Sequence, residues 1–423
     1  MSKKHFFWII VLILAVVYIT KNNTMPTYAP SRDYIDIEDQ LIEQFIFSRD
    51  SSVIELPAGH FLLSQSLSID RKSHLTIRGQ GMEETVLSFK GQTSGAEGIK
   101  ITNSSNIILE DFSVEDAAGD NLKVSETDNL TIRRIRSAWT GRASVENGAY
   151  GIYPVLCNNV ILEENEAIGA SDAGIYVGQS NHVIIRNNKA YYNVAGIESE
   201  NSSHVEIYGN ESFENTSGLL VFNLPGLTTY GNHINVYNNI IHDNNLPNFA
   251  VKGSIVSATP LGTGIIILAT KDVSVHDNTV KDHKTLNLAI VSYDIFSQEN
   301  QEVSDENQQE LLERGIQPIL PDASIDPNYN PYPGDIEIKN NSFSNRFLLP
   351  TFSNEFGLLW GLKNKLRIPD IAYDGILADG GSLQDENHLI CINESDDVNF
   401  VFLDGENDLD GFSNDIGQFK CSL

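Results

Sequence analysis

Basic residues are scarce in this sequence. Against 57 Asp and Glu stand 28 Lys and Arg, for a formal net charge of -29. No run of Lys and Arg forms a patch, so binding to DNA, RNA or an anionic membrane surface is not expected. Cysteine is nearly absent. The three are Cys157, Cys391 and Cys421, at spacings that suit no cysteine metal site. Outside the cytoplasm Cys391 and Cys421 could pair and pin the C-terminal tail, while Cys157, inside a regular repeat, reads as a small core residue. No P-loop, nucleophile elbow or dinucleotide fingerprint occurs in a strand-to-helix context.

A long apolar run occurs only at the start, where Phe6 to Ile19 follow Lys3 and Lys4. That is the charged-then-apolar order of an export segment. As a helix the run spans roughly 21 Å against a hydrocarbon core of about 30 Å, and no A-x-A-like cleavage site follows it. Residues 1–21 are therefore read as a signal peptide or an uncleaved signal anchor, which puts the protein on the periplasmic side of the inner membrane or outside the cell. Residues 22–35, polar and containing proline, read as a tether. The predicted capping helix at 36–50 lies in IDIEDQLIEQFIFSRD, which begins at Ile35 and places Ile37, Leu41, Ile42, Phe45 and Ile46 on one helical face, as expected of the N-terminal cap of a solenoid.

From residue 51 onward the sequence repeats itself. AGIYVGQSNHVIIRNN is followed by AGIESENSSHVEIYGN, and Gly151, Gly174, Gly196 and Gly218 recur at intervals of 23, 22 and 22. Nine residues beyond the repeat origin an aliphatic residue returns, as Leu75, Ile107, Leu130, Val160, Val183, Val205 and Val273. Alternation of period two places Ile175, Val177, Ile197, Leu219, Val221, Ile265 and Ile267 inward. Asn165, Asn188, Asn210, Asn239, Asn278 and Asn341 recur five residues past the aliphatic anchor, as turn asparagines able to share amide hydrogen bonds between layers. A unit of about 22 residues is too short for a propeller blade and too β-rich for helical repeats. The predicted fold is all-β: a single-stranded right-handed parallel β-helix over 51–423, of roughly ten coils at about 4.8 Å each. Loop insertions are predicted at 137–150, 223–233, 244–263 and 293–335.

The strings ELPAGHFLLSQSLSID, GQGMEETVLSFKGQ, NGAYGIYPV, SDAGIYVGQS, LPGL, AIVSY, DPNYNPYPGDI and the final CSL resemble a family of exported bacterial parallel β-helix repeat proteins within the pectate-lyase-like superfamily. The resemblance covers nearly everything after residue 36. It implies the fold and export, and carries over no catalytic residue. Many members resemble lipoproteins, whereas this chain has no cysteine after its apolar run.

Two outward columns are expected on the first sheet of each coil. One reads Ser68, Lys100, Lys123, Tyr153, Tyr176, Glu198, Leu220, Ile266; its neighbour reads Asp70, Thr102, Ser125, Val155, Gly178, Glu200, Phe222, Leu268. All four insertions flank this sheet, so they are read as walls of a groove or as a shield over its apolar residues. Tyr153 and Tyr176, one coil apart beside Glu198 and Glu200, suit a sugar chain. Glu198 and Glu200 on one strand would hold carboxyls roughly 7 Å apart, inside the range of about 6.5–9.5 Å of an inverting glycosidase, although any solvated acidic ladder has the same spacing. Asp172 adds a third carboxylate, or makes a Ca²⁺ site. For a lyase or epimerase, Lys100, Lys123 and Arg142 could neutralise a uronate. His182 and His204 share a position in consecutive coils, either holding Cu or Zn or continuing the turn ladder of Asn129 and Asn159. DGENDLDG from Asp404 reads as an acidic turn.

Three functions are open at this level: binding or processing of a polysaccharide; partnership with another envelope protein through Phe222, Leu224, Pro225, Leu227 and the 293–335 loop; and periplasmic copper handling.

Overall fold

The computed structural model describes residues 25–295, 305–316, 318–320, 323–378, 383 and 389–421. The export segment at 1–21 lies outside them. Among the described residues no helix is long and apolar enough to cross a membrane.

Eleven parallel strands stack in chain order into one long sheet, from Gln65–Asp70 to Phe400–Phe402. Its inward column runs in register from Leu122 through Ile152, Ile175, Ile197, Leu219, Ile265 and Leu288 to Ile371 and Phe400. These side chains share one core with Val160, Val183, Val205 and Val273 from a second face. A third, narrower face is built from short strands such as Lys189–Tyr191 and Glu211–Phe213. Each coil turns corners through residues with left-handed backbone, for example His182, Asn187, Tyr192 and Asn201 in successive corners. Polar side chains predominate there because Asn and Asp tolerate that conformation best.

The repeating glycines are required by the stacking distance. A Cβ on Gly151 would lie 2.4 Å from the carbonyl oxygen of Gly174, and one on Gly196 2.6 Å from that of Gly218. The asparagine ladder forms as expected. Asn188 Oδ1 accepts from the backbone N–H (2.9 Å) and the amide (3.0 Å) of Asn165, and the chain continues through Asn210, Asn239, Asn278 and Asn341 to the carboxylate of Glu394. A second buried ladder, Asn193 to Asn215 to Asn244, ends on His283. The sequence reading missed it, although Asn193 and Asn215 each stand three positions before a repeat glycine, Gly196 and Gly218.

The helix Glu38–Ile46 buries Leu41 and Phe45 in the core. Its Glu38 carboxylate accepts from Ser64 N–H at 2.6 Å. Ile46, expected on the same face, is instead 61% exposed. The described part of the tether is laced onto the coils. Thr27–Tyr28 pairs antiparallel with Gly141–Arg142, Tyr34–Ile35 pairs with His60–Phe61, and Arg32 forms a buried 2.6 Å ion pair with Glu115. Cys391 and Cys421 are joined by a disulfide and Cys157 is buried and free.

Candidate functional site

The outer face of the eleven-strand sheet changes character along the stack. Ser68 and Asp70 are exposed, and Lys100, Thr102, Lys123 and Ser125 are half-buried. From Tyr150–Val155 onward the face is covered. Tyr153, Tyr176, Glu198, Glu200 and Phe222, all expected on an open groove, are each buried. They do point away from the inner core. The insertions lie down on them and create a second apolar cluster, in which Tyr153, Tyr176, Leu220 and Phe222 meet Val251, Ile255, Leu311 and Ile316. The solvated acidic ladder is thereby corrected to a buried one, and the open docking surface of Phe222 and Leu224 to a packed interface.

Beneath the first insertion three tyrosines meet. Tyr150 lies 4.6 Å from Tyr153 and 4.5 Å from Tyr176, and the latter two cross edge to face at 4.8 Å. Tyr150, just ahead of the repeat glycine, was not singled out in the sequence; its place in NGAYGIY was the available clue. The Tyr176 ring folds over Gly178, where a Cβ would fall 2.4 Å from the tyrosine oxygen. This lets the hydroxyl reach Glu200, the register partner of Gly178.

Four carboxyl groups collect around these rings: Asp120, Asp172, Glu198 and Glu200, all buried. Burial drives Asp172 well above the ordinary aspartate range, and the charges of Glu200 and Asp120 push it further. Glu198 is raised in the same way, by burial and then by Asp172 and Glu200, and its Oε1 has no hydrogen-bond partner. Burial lifts Glu200 to about 7 against the lowering effect of the Tyr176 hydrogen bond. Asp120 is raised to about 6 by burial despite Lys123, whose Nζ is 3.5 Å away. Lys123 also sits 4.5 Å over the Tyr153 ring. The arrangement thus offers proton donors and a group that titrates near neutrality, side by side on one strand, Ala195–Glu200.

Of the candidate cations, Lys100 pairs with Glu97 at 3.0 Å at the open end. Arg142 does not join the cluster; it is exposed, on the short strand that pairs with Thr27. Phe222 belongs to the apolar half of the face, where with Leu220, Ile266, Leu268 and Trp360 it lines a cavity of about 80 Å³. Asp374 also lines it and is lifted by burial to about 7 while accepting from Ser292 N–H at 2.6 Å. A fifth insertion, carrying the helix Glu355–Lys363, covers this half through the fully buried Trp360. It escaped the sequence reading because the repeat glycines end at Gly264, Asn287 standing at that position in the next coil.

His182 and His204 stack as expected, 4.8 Å apart and 4° from parallel, and His233 extends the stack at 4.9 Å. Parallel rings at this separation do not converge on one ion, which would need both nitrogens within about 2 Å of it. Among the described residues no group of three His, Cys, Asp or Glu side chains is placed to hold a metal. The acidic turn at Asp404 is observed, its carboxylate accepting from Gly411 N–H at 2.8 Å and Asn407 Nδ2 at 2.9 Å.

A family model described as right handed beta helix region matches residues 140–303. No curated protein matches the sequence. Among solved structures, the A-module of a mannuronan C-5 epimerase from Azotobacter vinelandii aligns at a TM-score of 0.52 and 14% identity, covering 80% of this chain and 85% of that one. A second epimerase A-module from the same organism aligns at 0.47 and 13% identity, covering 87% and 93%. An exopolygalacturonase from Thermotoga maritima aligns at 0.43 and 11%, covering 64% and 88%. The repeat register, the eleven parallel strands, the family model and the first of these likenesses agree on the architecture: the chain folds as a right-handed parallel β-helix.

Proposed function

We propose that the outer face of the eleven-strand sheet receives a polysaccharide and that the Asp120, Asp172, Glu198 and Glu200 cluster acts on it by acid–base chemistry. One observation carries this reading. Four carboxyl groups are buried outside the core with one lysine among them, an arrangement that costs stability. Covering the sheet does not require it, because in the next coils the same two columns hold Leu220 and Phe222, then Ile266 and Leu268. Titrating groups displaced this far by burial and by one another mark functional sites more often than structural ones. The like-folded Azotobacter protein is by its name an epimerase of mannuronan, a polysaccharide.

In this reading a chain end lies over the open coils at Ser68, Lys100 and Lys123 and enters beneath the insertion that covers Tyr150. The contacts that hold that insertion include the Thr27–Tyr28 pairing, a hydrogen bond of 2.6 Å from the Asn147 amide to the Gly169 carbonyl and one of 2.8 Å from Arg314 to the Val145 carbonyl. Glu198, held neutral, donates its proton to the leaving oxygen as the sugar C–O bond breaks, and Glu200 as base takes a proton from the water that adds to that carbon, with burial and Asp172 keeping Glu198 protonated; carboxyls two residues apart on a strand lie roughly 7 Å from each other, which admits a water. Lys123 is engaged with Asp120, so a uronate carboxylate finds little neutralisation here, and hydrolysis of a weakly charged chain fits better than proton abstraction beside a carboxylate. The disulfide between Cys391 and Cys421 and the apolar segment at 1–21 support action outside the cytoplasm.

The experiment is to screen neutral and acidic polysaccharides for reducing-end release and for unsaturated uronate, with the wild-type chain and with Glu198→Gln, Glu200→Gln and Asp172→Asn. Turnover that falls by about 10²-fold or more in the variants while binding persists is the expected result. No turnover of any polysaccharide, or turnover indifferent to all three changes, overturns it.

A further inference from the structure

The second face carries an open groove, formed without any insertion. Its volume is about 990 Å³, and it is lined along one side by His74, Asn106, Asn129, Asn159, His182, His204 and His233. All seven have left-handed backbone, with φ between 54° and 57°. That conformation turns each side chain to the same edge of the stack, so the column stays straight over seven coils. Its floor is the outward column Thr76, Ile108, Thr131, Ile161, Ile184 and Glu206, every member half-buried. The groove runs parallel to the stack axis for roughly 29 Å, six steps at the strand spacing.

Its walls present polar edges at a constant repeat. Asn159 donates to Asn129 at 3.1 Å and Asn129 to Asn106 at 3.3 Å. Asn159 and Asn129 thereby each commit one amide donor and Asn106 its oxygen, and each amide keeps further hydrogen-bonding capacity at the groove edge. In the histidine section His204 and His233 engage Nδ1 with Asn181 and Asn232, which leaves Nε2 as the ring's second polar atom. The rings repeat at 4.8 and 4.9 Å. Between these edges the floor offers the apolar faces of Ile108, Ile161 and Ile184.

We propose that this groove binds a linear, uncharged polysaccharide laid along the axis of the stack. Each sugar unit of such a chain has a length close to one coil step, so hydroxyls would meet amide and imidazole edges in phase while the CH-rich ring faces lie on isoleucine. The charge pattern argues for a neutral chain: no Lys or Arg lines the groove, Glu206 stands at one end, and the protein carries a net -29. A peptide strand is a poor occupant, since the backbone groups of this face are already spent on neighbouring coils and none is offered for strand addition. The site is separate from the acid cluster and does not depend on the function proposed for it.

The test is titration calorimetry of the full chain with neutral linear oligosaccharides of increasing length, namely gluco-, xylo-, manno- and chito-oligosaccharides, beside an oligouronate. Expected is binding of at least one neutral series that strengthens with length up to the groove span. The paired change His182→Ala with His204→Ala, and independently Ile184→Glu and Thr131→Glu, should each weaken it at least tenfold, while circular dichroism and a cooperative melt show each variant folded. The proposal is overturned if no neutral series binds, if the oligouronate binds more tightly, or if binding survives all the groove variants. It is equally overturned if sedimentation shows the face occupied by a second copy that Ile184→Glu releases.

Discussion

Two outward faces of the same coils meet opposite fates. On the eleven-strand sheet the outward residues of the later coils are buried, Leu220 and Phe222 at 2% exposure each, under segments inserted between the coils. On the second face the equivalent residues Ile161, Ile184 and Glu206 stay half-buried beside an open groove. The inward halves of the two faces are alike, a continuous aliphatic column in each. Strand chemistry therefore decides that a coil forms, and insertion placement decides whether its outside is solvent, groove or a second core.

The comparison can be broken first at Tyr176. If the covered face is a true second core, Tyr176→Ala opens a cavity beside Tyr150 and Tyr153 and should cost about 3–5 kcal/mol in urea unfolding. A loss under about 1 kcal/mol would mean that the insertions rest loosely on the sheet and that the covered face is not a second core.

A second difference is electrostatic. Glu200 in the folded protein titrates at about 7, above its ordinary 4.5, because burial disfavours its charged form. The folded state then holds that proton more tightly than the unfolded chain. The contribution to stability is fully present below about pH 4.5 and is lost as pH rises towards 7, on the order of 3 kcal/mol for this group. Asp120 and Asp374, raised to about 6 and about 7, act in the same direction. Melting temperature should fall from pH 5 to pH 8, and Glu200→Gln should flatten part of that slope; an unchanged slope in the variant would place the titration elsewhere.

The smallest effect is expected on the open face. Ile184→Ala, the counterpart of a covered-face truncation, should change stability by no more than about 1 kcal/mol in the same unfolding experiment. A cost as large as that of Tyr176→Ala would mean that the second face is not open in solution.

The coil was legible because its causes are local and recur. Gly151, Gly174, Gly196 and Gly218 each avoid a collision with the next coil, and Asn165, Asn188 and Asn210 each satisfy the one before. A requirement repeated at a fixed interval leaves a periodic trace. The candidate site was legible in part: Tyr153, Tyr176, Glu198, Glu200 and Asp172 do come together, as the shared register implies. Their burial was not legible, and neither were Asp120, Tyr150 and Trp360, because each depends on where an aperiodic insertion comes to rest. Arg142 shows the converse, since its place within an insertion suggested a reach into the groove while its strand is committed to Thr27.

By itself, then, the sequence determined the parallel β-helix, the inward columns, the asparagine ladder at Asn165 to Asn341 and the set of residues that share the outer face of the first sheet. Alternation, glycine spacing and turn asparagines act within one coil and its neighbours, so their consequences are computable from spacing. Tertiary structure alone decided that this outer face is sealed over Tyr150 and open over Lys100, that its carboxyls are pushed towards neutrality, and that the second face is left bare. Those outcomes depend on contacts such as Arg314 with Val145, 169 residues apart, and a segment's resting place on a distant sheet is set by the total apolar area it can cover there, which no local pattern encodes.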